Sequence, residues 1–345
     1  MTLQGLTAMK IQSFFECNQP YKYYYLFAIF APDFEMKNNE SGIALNNAAG
    51  CILAAVAAVS YGLNPTFALP LYADGMDPVS VLFLRYGMAI PMLAVLIVCR
   101  GFSFRIPAGN ILPLAVLGIL MSLSSLTLFV SYNYMAAGIA STILFVYPIL
   151  VAVIMAVFFR EKLSLRIVVC LVLASAGILM LYHSEPGETI SLAGTVIVLL
   201  SALVYALYLV GINNKKVMGL NSLVVTFYVL LFGFLLFPAL MLFGGSELVI
   251  PDKWNMWLNS AALALFPTII SLVCTSGAIK RIGSTSTAIF GALEPVTAVI
   301  MGILLFNEGM TLREAAGIIL ILVSVSFVIA NGRKIKKNLI KRTDS

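Results

Sequence analysis

Charge is what this chain has least of. Only 10% of its 345 residues are Asp, Glu, Lys or Arg, 61% are hydrophobic, and the mean hydropathy is +1.01. A soluble domain of this length carries roughly 25% charged residues, so the surplus apolar surface belongs against hydrocarbon. Histidine is almost missing: His183, in a polar loop, is the only one, which leaves little for histidine-based zinc or acid–base chemistry. The five cysteines (Cys17, Cys51, Cys99, Cys170, Cys274) are odd in number, scattered, and mostly inside apolar runs. They read as small hydrophobes, with no disulfide or metal framework. Nothing resembles a phosphate-binding loop, and the connections are too short for a nucleotide-binding domain. No enzyme activity, metal or cofactor is therefore expected.

What the chain has instead is long apolar runs. About 20 residues cross a ~30 Å hydrocarbon core at 1.5 Å per residue. Ten stretches qualify, at roughly 47–70, 78–99, 110–133, 137–159, 165–182, 191–210, 222–243, 257–279, 284–306 and 312–331. The segment around 244–256, with Pro251 and Trp254 leading to Trp257, reads as interfacial. Basic residues set the orientation. With the N-terminus inside, Arg100, Arg105, Arg160, Lys162, Arg166, Lys215, Lys216, Lys280 and Arg281 all fall in cytoplasmic loops, and RKIKKNLIKR follows the last span. Lys253 and Arg313 lie opposite, together with Asp74, Asp77, Glu185, Glu188, Glu247, Asp252 and Glu308. The expectation is an even span count with both termini cytoplasmic. The net charge of +6 is then topological. The basic tail, residues 332–345, suits an anionic lipid leaflet better than a nucleic acid. Residues 1–46 form a separate N-terminal segment. Within it, 1–35 reads as disordered or as a start-site artefact, because Met36 opens a plausible alternative start.

The chain also says one thing twice. Pro148, Glu161, Leu165 and Arg166 recur without a gap as Pro295, Glu308, Leu312 and Arg313, 147 residues on. A fainter echo at an offset of 144 pairs Tyr61 with Tyr205 and Asp77 with Asn221. Two halves of five spans each, residues 47–182 and 191–331, must begin on opposite sides of the membrane, because five is odd. The fold expected is an all-α integral membrane protein: ten transmembrane helices in two inverted five-helix repeats. That is a common ground plan of secondary transporters.

Several stretches carry a resemblance. Arg85–Tyr86 in the second span, YNYMAAGIASTILFVYPIL ending at Leu150, SGAIKRIGSTSTAIFGALEPV around Glu294, and both Glu-x-Leu/Met-Ser/Thr-Leu-Arg turns resemble EamA-type members of the drug/metabolite transporter superfamily. The resemblance covers residues 47–331. It implies a multi-pass protein of a bacterial inner membrane that carries an amino acid or similar small polar metabolite, with export the favoured direction. Alternatives are a non-transporting accessory protein, or efflux of lipids or hydrophobic cations. The partners implied are the solute, lipids and, through Glu294, protons, and a monomer suffices.

Polar groups deep in a bilayer are costly, about 2.5–3.5 kcal/mol for a charge on insertion scales, so the few present are the site candidates. Glu294 lies near the middle of the ninth span. It reads either as a cavity carboxylate, binding an ammonium group or cycling a proton, or as a packing group beside Pro295. Arg85, ~12 Å into the second span, reads either as a partner for a solute carboxylate or as a snorkelling side chain. Tyr61, Asn64, Tyr147, Tyr205 and Tyr208 complete the expected substrate site. Pro148, Pro295 and Gly291 are the expected hinge positions. Serines and threonines in these spans are taken as helix packing, and Tyr132 as an interfacial belt residue.

Overall fold

The computed structural model describes residues 40–135, 137–161, 164–181, 191–244, 247–306, 311–313 and 315–327. The proposals for residues 1–35, Glu308 and the basic tail lie outside them. The described elements are helical throughout. They run α1 (Glu40–Gly62), α2 (Asn64–Ala73), α3 (Pro78–Cys99), α4 (Ile111–Ser131), α5 (Ala137–Leu144), α6 (Tyr147–Phe159), α7 (Leu165–Leu181) and α8 (Leu192–Ile212). After these come α9 (Lys215–Met218), α10 (Ser222–Phe234), α11 (Leu236–Gly244), α12 (Trp254–Ala264), a π-helical turn at Leu265–Ile270, α13 (Ser271–Phe290), α14 (Leu293–Phe306) and α15 (Ala315–Phe327). A backbone that meets no water must satisfy its N–H and C=O groups within its own segment, which is why an apolar chain of this kind folds as helices.

Among the described residues, seven helical stretches are long and apolar enough to cross a membrane: Asn46–Ala73, Pro78–Cys99, Ala108–Ser131, Ile139–Phe159, Leu192–Ile212, Ser222–Phe243 and Trp254–Phe290. Two shorter apolar helices, Leu165–Met180 and Ala315–Phe327, accompany them. The sequence reading put a loop between 279 and 284. Two helical segments meet within that interval, and Gly283, at φ 79°, breaks the helix between them. That left-handed conformation suits glycine, which has no Cβ to clash there.

Helix starts explain part of the sequence echo. The Asp77 carboxylate accepts from the Val79 and Ser80 amides at the head of α3. The Asn221 side chain accepts from the Leu223 amide, at 2.9 Å, at the head of α10. Both are N-caps, satisfying amides that have no partner within the helix. The 144-residue echo of an Asp and an Asn is thus a repeated helix start.

The two ends of the bundle are held by different polar contacts. At one end Lys253 pairs with Asp74 at 2.5 Å, and Ser80 donates to the Glu247 carbonyl. The nearby Asp74 carboxylate raises the exposed Lys253 ammonium above its ordinary value. At the other end Arg281 donates to Asn46, Lys280 to the Leu220 carbonyl, and Asn110 to the Lys216 carbonyl. Thr285 meets Glu161 there, at 3.4 Å.

Close helix crossings rest on glycine. A Cβ at Gly118 would stand 2.7 Å from the Val229 carbonyl, and one at Gly233 would stand 2.7 Å from the Gly118 carbonyl. Between α7 and α15 a Cβ at Gly177 would meet the Gly317 carbonyl, while Ser324 donates to the Cys170 carbonyl at 2.7 Å. A shift of 147 residues carries Cys170 to Gly317 and Gly177 to Ser324. The two contacts are therefore the same contact with the helices exchanged. Of the cysteines, Cys170 and Cys274 are buried as expected, whereas Cys99 is exposed at the end of α3.

Candidate functional site

Proline shapes the centre of the bundle. Pro148 lacks an N–H, so the Leu144 carbonyl loses its helical partner, and the helix is interrupted at residues 145–146 between α5 and α6. Pro295 acts likewise on the Gly291 carbonyl. That oxygen takes the Glu294 amide instead, at 2.9 Å, and residues 291–292 interrupt the helix between α13 and α14. The two interruptions lie at matching points of the sequence repeat, and they meet. The Tyr147 hydroxyl donates to Glu294 Oε1 at 3.1 Å, across a separation of 147 residues. Glu294 sits in the first turn of α14, where unpaired amides and the helix dipole favour negative charge.

Tyrosines enclose this junction. Tyr205 stands edge-on to Tyr147, with ring centres 4.8 Å apart. It also stacks on Tyr61 (5.9 Å, 10° between planes) and on Tyr208 (6.0 Å). The pair related by the 144-residue echo, Tyr61 and Tyr205, is therefore in face-to-face contact. All four tyrosines are buried, and a crevice lies beside Glu294. That crevice is lined by Tyr147, Tyr205, Glu294 and Gly291, and by small side chains that include Ala57, Ser271, Thr275 and Thr287. Thr275 and Thr287, read from sequence as packing groups, line it as well. Its free volume is about 10 Å³, near the ~10–15 Å³ needed to hold one water.

Two glycines make the junction possible. A Cβ on Gly291 would overlap the Tyr147 hydroxyl. The expected hinge role of Gly291 is thus joined by a second one, leaving room for Tyr147 to reach Glu294. Gly62 was missed. A Cβ there would stand 2.5 Å from the Glu294 carbonyl and 2.8 Å from Thr297, so the end of α1 lies directly on the backbone of Glu294. The signal in sequence was Gly62-Leu63-Asn64-Pro65, a glycine and a proline flanking the α1–α2 break.

Arg85 and Asn64 form a second cluster. Arg85 is fully buried and does not snorkel. Its Nε donates to Thr268 Oγ1 at 2.5 Å, Nη1 to Asn64 Oδ1 at 2.9 Å, and Nη2 to the Pro267 carbonyl at 3.0 Å. Its guanidinium lies 5.5 Å from the Phe129 ring centre, a cation–π arrangement. The π-helical turn creates the acceptors. Pro267 cannot donate to the Leu263 carbonyl, Thr268 Oγ1 takes that carbonyl at 2.7 Å, and the widened turn presents the Pro267 carbonyl to Arg85. Beyond Arg85, Phe129 packs against Tyr72 and Tyr132, and Tyr72 donates to the Phe129 carbonyl. Tyr132 thus belongs to an aromatic layer within the bundle rather than to a lipid-facing belt.

Interrupted helices that meet at a carboxylate, tyrosines around it and a buried arginine nearby define a polytopic membrane protein with a polar centre. A model of the EamA-like transporter family matches residues 48–183 and again 192–330. The chain therefore belongs to the EamA-like transporter family and carries two EamA domains. Similar curated proteins include an uncharacterized transporter of Archaeoglobus fulgidus, 24% identical over 74% of this chain and 89% of that protein. The uncharacterized transporters YyaM and YcbK of Bacillus subtilis are 25% and 24% identical, covering 75% and 82% of this chain and 87% and 93% of their own lengths. A crystal structure 17% identical in sequence superposes with a TM-score of 0.69, over 84% of this chain and 99% of its own, and shares the fold. The family is one of multi-pass membrane transporters, which implies a small solute as substrate.

Proposed function

We propose that this protein is a secondary transporter that exports an amino acid or similar small polar metabolite by alternating access, from the inner membrane of a bacterium. The observation that carries the reading is the Tyr147–Glu294 bond, made where two interrupted helices meet beside the crevice. A carboxylate held between tyrosine rings is suited to an ammonium group, through charge and ring faces together. The crevice is far below the ~300 Å³ of an ordinary small-molecule pocket, so this conformation is closed and helices must part to admit a solute. Glu294 is also the group able to couple transport to a proton.

Ten crossings in two inverted repeats, with both termini cytoplasmic, belong to the same proposal. The exchanged contacts of α7 with α15 support it, as do the interruptions at Pro148 and Pro295 and the break at Gly283. Single cysteines placed at residues 216 and 253 are expected to react with an impermeant maleimide from opposite faces of the membrane. Labelling of both from one face would refute the span count.

One observation favours the non-transporting alternative: the polar centre is packed almost without a void. Transport itself separates the two. Comparing the medium of cells with and without the gene is expected to show one or a few amine-bearing metabolites lost with the gene. Proteoliposomes should then exchange those compounds. An unchanged medium together with inert proteoliposomes would favour an accessory role.

A further inference from the structure

We propose that Arg85 and Asn64 form a subsite for a carboxylate, so that the transported solute carries an acid group as well as the amine held by Glu294. The physical problem that the subsite answers is an unneutralised charge. Arg85 is buried completely, and no acidic side chain pairs with it among the described residues, where the one ion pair is Lys253–Asp74. Its three partners, Thr268, Asn64 and the Pro267 carbonyl, are all neutral. A guanidinium carries five N–H groups, so two remain to be used.

A second donor points the same way. Asn64 is 2% exposed and spends its oxygen on Arg85. Its amide nitrogen, Nδ2, is buried with no hydrogen-bond partner. A donor left unsatisfied in a low-dielectric interior costs about 1–3 kcal/mol, and a neighbouring cation without a counterion adds to that cost. Two unused guanidinium N–H groups and an orphaned amide on adjacent side chains suit one kind of ligand, a compact anion with several acceptor lone pairs. A carboxylate fits best, because a guanidinium can hold both of its oxygens at once.

The cluster is placed to act with Glu294. Tyr61, at the end of α1 three residues before Asn64, stacks its ring on Tyr205 at the crevice. Along the α12–α13 segment, Thr268 precedes the crevice residues Ser271 and Thr275 by three and seven positions, roughly 5–10 Å of helix. The present acceptors of Arg85 also tie α3 to the α1–α2 break and to the π-helical turn. A carboxylate held by the two unused N–H groups and the Asn64 amide leaves both ties in place and completes them. This role in transport rests on the reading given above. Binding of an anion does not, and it can be tested separately.

The test uses acetate and chloride as probes of the purified full-length protein in detergent, over a methanesulfonate background at constant ionic strength. Acetate is expected to raise the thermal midpoint saturably, on the order of 5 °C, and chloride is expected not to. Asn64→Asp supplies an internal counterion. It should abolish the acetate response and should itself melt higher than the wild type. Glu294→Gln should keep the acetate response, which separates this proposal from the role of Glu294 in transport. If Asn64→Asp does not yield folded protein, Asn64→Ala serves instead, with acetate affinity weaker by about tenfold. A chloride shift equal to that of acetate would make the cluster a halide site and overturn the carboxylate assignment. So would the absence of any saturable acetate shift, or a full response in both Asn64 variants.

Discussion

Glu294→Gln is expected to lower solute exchange in proteoliposomes about 100-fold while leaving the protein folded. The substitution keeps the shape of the side chain and an oxygen that can still accept from Tyr147, so the bond seen at 3.1 Å survives in neutral form. What is lost is the charge. An ammonium group brought into a buried site without its counter-charge forfeits about 2–5 kcal/mol, and every 1.4 kcal/mol is tenfold in affinity. The bilayer setting makes the loss unusually clean, because the folded variant no longer carries a charge that was costly to insert. Its thermal midpoint should therefore equal or exceed that of the wild type. Wild-type exchange rates in Glu294→Gln, with the native pH profile, would remove Glu294 from the mechanism.

Gly291→Ala is expected to be the most damaging single-methyl change in the protein. The added carbon would occupy the place of the Tyr147 hydroxyl and press on its ring carbon Cζ, 2.7 Å away. Overpacking a filled interior costs about 1–3 kcal/mol. Here the displaced group is one that holds the two helix interruptions together, so a fall in thermal midpoint should come with loss of exchange. The double variant Gly291→Ala/Tyr147→Phe removes the oxygen from the collision and should recover part of the midpoint without recovering full exchange. Equal midpoints for the wild type and Gly291→Ala would show that Tyr147 does not need the space that Gly291 leaves.

Much of the architecture was legible because bilayer physics leaves few options. Apolar runs of span length could become little other than helices, and Pro78–Cys99 and Ser222–Phe243 have the limits that the sequence indicates. The interruptions were legible too, since Pro148 and Pro295 remove a helical donor wherever they fall. Which residues meet was harder. Glu294, Tyr147, Tyr205, Tyr61 and Tyr208 were recognised as rare polar groups in apolar surroundings, and the structure puts the first three at one crevice with Tyr61 and Tyr208 stacked on Tyr205. Arg85 and Asn64 came from the same reasoning but form their own cluster, because a side chain's direction around a helix is not set by its depth. Gly62 escaped notice since its meaning lies in a neighbour 232 positions away, and a glycine announces no partner. Tyr132, which packs with Tyr72 and Phe129, was misread for a related reason. A tyrosine near the end of a span looks the same in sequence whether it faces lipid headgroups or the inside of the bundle.

The bond between Tyr147 and Glu294 has a consequence for the direction of work. On the inverted-repeat, alternating-access reading proposed above, identical halves would make the conformer open to one side and the conformer open to the other two-fold-related partners of equal energy. The resting protein would then divide evenly between them. A tyrosine on one half facing a carboxylate on the other removes that degeneracy at the point where the halves touch. About 1.4 kcal/mol of difference suffices for a tenfold preference. On that proposal the protein waits on one side of its cycle, and the residue that distinguishes its halves helps to decide which side that is.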